Sequence, residues 1–249
     1  MVKLQELLDY TQQLLAVERY RDYAPNGLQV EGKGEVRRIV SGVTASLALL
    51  EAAVDLKADA VLVHHGYFWK SEPAGIVGMK QRRIKLLLQH DINLLAYHLP
   101  LDAHPELGNN AQLAYLLDAE IDNWFGEQNL VAEGNLRKPV TLAELAHRVG
   151  EALGRPALPL GDPAKTVARV AWCSGGAQGM HYEAALRGVD AYISGEVSEQ
   201  NAHIAAETGV AYLAAGHHAT EKFGVQALGA HLAAQFGLDH RFIDIANPV

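Results

Sequence analysis

The 249-residue chain is 49% hydrophobic and 20% charged, enough apolar material for one large core or two smaller ones. Its 21 Lys+Arg and 29 Asp+Glu leave a net charge of −8, and no stretch gathers basic residues, which argues against nucleic acid as a primary partner. The single cysteine, Cys173, rules out an intramolecular disulfide and leaves no thiolate set for a metal; with 12 histidines, any metal is a hard or borderline divalent ion.

In chain order, the N-terminal segment breaks its apolar pattern with acidic and amide residues, so it reads as an amphipathic helix rather than a signal peptide. No run approaches the ~18 apolar residues of a membrane span, and the expected location is cytoplasmic. Tyr23-Ala-Pro-Asn-Gly27 is a turn, because Pro sets φ and Asn-Gly accepts positive φ. Strands and helices then alternate: strand 36–43, helix 46–57 capped by Ser46, strand 60–63, helix 79–90 and strand 92–97. Residues 122–139 are the least periodic and mark the expected junction between a first domain, 1–125, and a second, 126–249, whose C-terminal segment packs back on the first. Beyond it come helix 141–153, opened by a Thr141/Glu144 capping box, strand 167–172, helix 178–187 and strand 191–194. Helix 198–208, strand 210–214, a long helix from about 219 to 236 and strand 241–245 complete the chain. This rhythm predicts an α/β fold with mostly parallel sheets.

The halves resemble each other. Arg38–Gly42 aligns with Arg169–Cys173 and Asp59-Ala60 with Asp190-Ala191, both at an offset of 131, while His98–Asp102 aligns with His217–Glu221 at 119. The shrinking offset places an insertion at Gly66–Gly78 in the first half.

Strand ends in an open α/β sheet are where ligands sit. The strand from Ala60 runs into His64-His65-Gly66, and two imidazoles there can turn into one crevice once the strand has ended. His98 and His217 follow two other strands, each with a carboxylate four residues on, Asp102 and Glu221. Six N and O ligands exceed the needs of one zinc-like ion and suit two ions sharing carboxylates. The second half lacks the His pair, so both halves are expected to serve one centre. Glu196 stands at the repeat position of His65 and is the candidate general base; His104 and His218 are secondary candidates. Lys70, Lys80, Arg82 and Arg83 read as a solvated face that could also offset a nucleotide's charge. The Gly-rich Trp172–Gln178 reads as a tight turn, Cys173 lacks an evident paired histidine, and Tyr67-Phe68-Trp69 is expected at a subunit contact.

The segments DYAPNGLQVEG, HHG, HLPLDAHPELGNN, SGEVSEQ and GHHATEKFG resemble, in order and spacing, the Nif-three-like family of GTP cyclohydrolase 1 type 2 homologues, particularly its short bacterial YbgI-type members. The resemblance spans essentially the whole chain. It implies two interlocked α/β domains, two divalent metal ions (Zn, Fe, Mn or Ni) held by His64, His65, His98, Asp102, His217 and Glu221, and a toroidal homohexamer. Gly66 departs from the Pro that many members carry after the His pair, and the inserted middle domain of longer members has no room here. The implied activity is a hydrolase in which metal-activated water attacks a nucleotide or heterocycle. The alternative is a non-catalytic, ring-forming protein that binds or delivers metal.

Overall fold

Apolar runs too short for helices form the central strands. The computed structural model describes all residues, 1–249, and the chain divides into two units, Met1–Gly108 with Gly224–Ala246 and Asn109–Phe223 with Asn247–Val249. The first unit contains β1 (Val2–Lys3), β2 (Gly27–Val30), β3 (Glu35–Val36), β4 (Arg38–Thr44), β5 (Ala60–His65) and β6 (Asn93–Ala96). The second contains β7 (Ala119–Phe125), β8 (Val131–Thr141), β9 (Leu158–Leu160), β10 (Thr166–Cys173), β11 (Ala191–Ser194) and β12 (Ala211–Ala214). The chain then returns to the first unit through helix Lys222–Phe236 and β13 (Asp239–Phe242).

The first sheet runs β13-β4-β5-β6-β2, parallel except for β2. Its middle strands are apolar on both faces because both are covered: Ile39, Leu62 and Leu95 pack with Leu7 and Leu228, while Val40, Val61, Val63 and Leu94 pack with Leu49 and Leu87. The second sheet runs β7-β8-β10-β11-β12-β9, with β10, β11 and β12 parallel.

The two sheets thus share a run of three parallel strands, β4-β5-β6 and β10-β11-β12, with an antiparallel edge strand beside the third, in matching register. Ile39 pairs with Ala60 and Val170 with Ala191, so both partners are displaced by 131. The shared aspartates do the same work: Asp59 Oδ2 accepts the N–H groups of Arg37 and Arg38, and Asp190 Oδ2 those of Ala168 and Arg169. They satisfy backbone donors at the start of β4 and at the irregularity after Val167 in β10. For the third strands the offset is 118, since Asn93 and Ala211 hold equivalent places beside Ala60 and Ala191. The one-residue difference from the 119 between the histidines is Gly216, whose φ of +100° absorbs an extra residue before His217.

Residues 122–139 form no linker: they lie largely in the antiparallel pair β7–β8, whose outward residues are polar and whose alternation a bulge at Ile121/Asn123 breaks. The division into units therefore falls at 108/109, not 125/126, with 224–246 in the first unit. The long C-terminal helix is broken at Glu221, between a short turn His217–Thr220 and helix Lys222–Phe236. Thr141 Oγ1 caps helix Leu142–Leu153 by accepting from Glu144 N, but the Glu144 carboxylate pairs with Arg148, leaving the capping box half formed. Tyr67 is buried, its hydroxyl donating to the Ala45 carbonyl at 2.8 Å, so it belongs to the core rather than to an exposed aromatic patch.

Candidate metal centre

In the first unit, β5 extends through His64 and His65, so the pair lies on the strand's last two residues rather than beyond its end. The ring centroids of His64 and His65 are nonetheless 4.7 Å apart, and His98 lies 5.0 Å from His64 and 5.6 Å from His65. One ring nitrogen from each of the three falls within 4.8 Å of the others. Asp102, on the short helix Leu99–Ala103 that follows His98, brings Oδ1 to 3.6 Å from His64 Nε2.

Hydrogen bonds on the far side of the rings decide which nitrogen faces this cluster. The fully buried His64 donates Nδ1–H to the Tyr97 carbonyl at 2.9 Å, and His98 donates Nδ1–H to Asp22 Oδ1 at 2.7 Å. Neither acceptor can donate, so Nε2 is left unprotonated in the neutral ring. His65 Nδ1 lies 3.2 Å from the Thr44 hydroxyl. Asp22 is itself well held, accepting from Tyr23 N at 2.6 Å, Leu99 N at 2.9 Å and Asn26 Nδ2 at 2.8 Å. Burial alone would raise its pKa, but the hydrogen bond and charge of His98, with Asn26 and Leu99 N, outweigh burial and hold it at about 2. Trp69 stands edge-on to His98 at 5.0 Å.

In the second unit, His217 Nε2 lies 3.1 Å from Oε1 of the buried Glu221, four residues on. His217 Nδ1 donates to Glu196 Oε1 at 2.7 Å, the same outward arrangement as His98 with Asp22. Glu196 is placed by Gln178 Nε2, which donates to Oε2 at 3.0 Å, and by the Tyr212 hydroxyl, which donates to its backbone carbonyl. Burial would lower the His217 pKa, but hydrogen bonds and charge from Glu221 and Glu196 prevail and raise it to about 9. Gly175, in the Gly-rich loop, has φ +64°, and a Cβ there would lie 2.2 Å from Glu221 Oε1 and 3.2 Å from His217 Nε2. Only glycine leaves that space open.

All six expected ligands thus fall into two sets, His64, His65, His98 and Asp102 in one unit and His217 and Glu221 in the other. Imidazole nitrogens presented by outer-sphere acceptors, with buried carboxylates beside them, suit a borderline divalent cation. His104 instead accepts backbone N–H from Glu106 and Leu107 at Nδ1, and His218 donates its backbone N–H to the Val249 carbonyl. Of the basic residues past the His pair, Lys70 donates to the Asp22 carbonyl and Lys80 pairs with Glu72 at 3.4 Å. Reading the sequence for ligands missed Asp22, Thr44 and Gly175. Asp22 opens one of the family-like segments, but a carboxylate before a turn looks like a turn former.

The family model described as Duf34/NIF3 (NGG1p interacting factor 3) matches residues 2–248, and the chain belongs to that family. Proteins named GTP cyclohydrolase 1 type 2 homolog are 55% identical over 250 residues in Pseudomonas aeruginosa, covering 99% of both chains, and 58% identical over 229 residues in Salmonella typhimurium, covering 91% and 92%. Among solved structures, the ybgI protein of unknown function superposes with a TM-score of 0.96 at 54% identity, covering 100% of each chain. A protein from Thermus thermophilus does so at 0.89 and 36%, with the same coverage.

Proposed function

We propose that this chain is a metal-dependent hydrolase that holds two divalent ions per chain through His64, His65, His98, Asp102, His217 and Glu221. The observation that carries it is the common construction of the rings: Nδ1 of His64, His98 and His217 is tied to an oxygen that can only accept, leaving Nε2 as the ligating nitrogen. Such ions, when bound, lower the pKa of a water and polarise a substrate atom. The protein's own part is to hold the histidine tautomers, place the buried Asp102 and Glu221 carboxylates beside them, and leave open the space beside Gly175.

The relatives' shared name motivates a nucleotide or other nitrogen heterocycle as substrate, and hydrolysis as the reaction. In this reading the assembly is a homohexamer. Glu196 orients His217 through Nδ1. The general-base role expected for it from the repeat is the competing assignment: Glu196→Gln that weakens metal binding supports orientation, and unchanged metal content with lost turnover supports the base.

The test is elemental analysis of protein purified without added metal, followed by a screen of nucleotides and heterocycles on the same material. About two ions per chain are expected in the wild type. Asp102→Ala should lose much of that metal while keeping the fold. Metal content unaffected by Asp102→Ala would refute the ligand set, and a metal-replete protein that turns over nothing would favour the metal-binding or metal-delivering alternative.

A further inference from the structure

We propose that Arg155 forms a subsite for an oxyanion, phosphate or carboxylate, on a small-molecule ligand, distinct from the metal ligands. Arg155 follows helix Leu142–Leu153 just past Gly154, whose φ of +73° ends the helix, and its N–H is fixed to the Gly150 carbonyl at 3.1 Å. Its Nη1 is buried and has no hydrogen-bond partner. Arginine stays protonated, and a buried guanidinium nitrogen without an acceptor is unfavourable unless an anion completes it.

The side chain is held where it is by Gly216. A Cβ on Gly216 would lie 2.3 Å from Nη1, 2.7 Å from Cδ and 2.8 Å from Cζ, so the guanidinium and its stem rest against the one residue that leaves them room. Arg155 also lines an open groove of about 620 Å³ with His147, Gly150, Pro156 and Ala157. That volume suits a small molecule. Glu151 lines the same groove, yet no carboxylate forms an ion pair with Arg155. A planar guanidinium matches the paired oxygens of phosphate or carboxylate. Because Gly216 directly precedes His217, an anion here would anchor the ligand beside the second ligand set; that placement rests on the proposed function, whereas the subsite does not.

The test is calorimetric titration of the full chain, as purified and at low ionic strength, with inorganic phosphate and, separately, succinate. Saturable binding of one of them at one site per chain is expected, and the tighter of the two identifies the oxyanion. Arg155→Met should weaken it by about tenfold or more, and Arg155→Lys by less, because it keeps the charge but loses the fork. Asp102→Ala, which strips the proposed metal site, should leave binding intact. No saturable binding of either probe overturns the subsite. So does binding abolished by Asp102→Ala but untouched by the Arg155 variants, since the anion then sits on metal. Circular dichroism checks the fold of each variant, and if Arg155→Met does not fold, Arg155→Lys decides. A chain that binds phosphate through Arg155 but holds no metal would retain the subsite and lose the hydrolase reading.

Discussion

Replacing Asp22 by Asn removes the carboxylate that accepts His98 Nδ1–H while keeping a side chain of similar shape beside the Leu99 and Tyr23 N–H groups. Metal affinity measured by chelator competition should fall about 10- to 100-fold, as for other outer partners of metal-bound histidines. The fold should survive with a loss of about 1–2 kcal/mol in urea unfolding. An unchanged affinity would count against His98 as a ligand. Glu133 is a structural counterpart: it is 1% exposed and bridges Arg169 and Arg187. Burial works against its ionisation, but the hydrogen bonds and charges of Arg187 and Arg169 dominate and lower its pKa below 4.5. Its folded pKa being depressed, the stability it contributes is present above about pH 4.5 and is lost as pH falls through the lowered value. Glu133→Gln should therefore cost about 2 kcal/mol at neutral pH, discounted because both arginines are partly exposed. The penalty should shrink as the solution is acidified below pH 4.5, and a pH-independent penalty would mean that the ion pairs contribute little.

At the level of elements, the Gly-rich loop after β10 is shaped by its contact with the turn that carries His217 and Glu221. Gly175 combines a left-handed backbone with a Cβ position 2.2 Å from Glu221 Oε1, so Gly175→Ala must shift either the loop or the carboxylate. The backbone alone disfavours alanine by about 1–2 kcal/mol. Thermal unfolding should show at least that loss, and metal analysis should show reduced occupancy; a variant with full metal content would place Glu221 outside the ligand set. Gly216 gives a second case, in which one residue inserted between strand and histidine is accommodated by a φ of +100°. The β7–β8 pair shows how an edge element escapes a reading based on periodicity, because its bulge interrupts the alternation that identifies a strand.

For the whole molecule, the proposed hexamer rests on the family resemblance and on apolar residues that stay exposed in the isolated chain, among them Tyr115, Tyr182 and Leu186. Tyr67 no longer contributes, because its ring is buried and its hydroxyl bonded. Light scattering at micromolar concentration should report six chains, and a monomer would rule the ring out. No helix is long and apolar enough to cross a membrane.

Composition and periodicity were enough to read the α/β class, the central strands and the 131-residue repeat. Those features depend on local pattern and on which residues must be buried, and both are written along the chain. Strand-end histidines with carboxylates four residues on were legible for the same reason: a short polar motif after an apolar run needs no knowledge of distant contacts. Asp22 is 76 positions from His98, and Glu196 and Gly175 are 21 and 42 from His217, so their roles follow only from where the folded strands and turns bring them. The fate of Tyr67 and the division of the chain at 108/109 were likewise tertiary outcomes. Burial of an aromatic ring, or the point where one unit gives way to the next, is settled by packing against residues far along the chain, which local pattern does not encode.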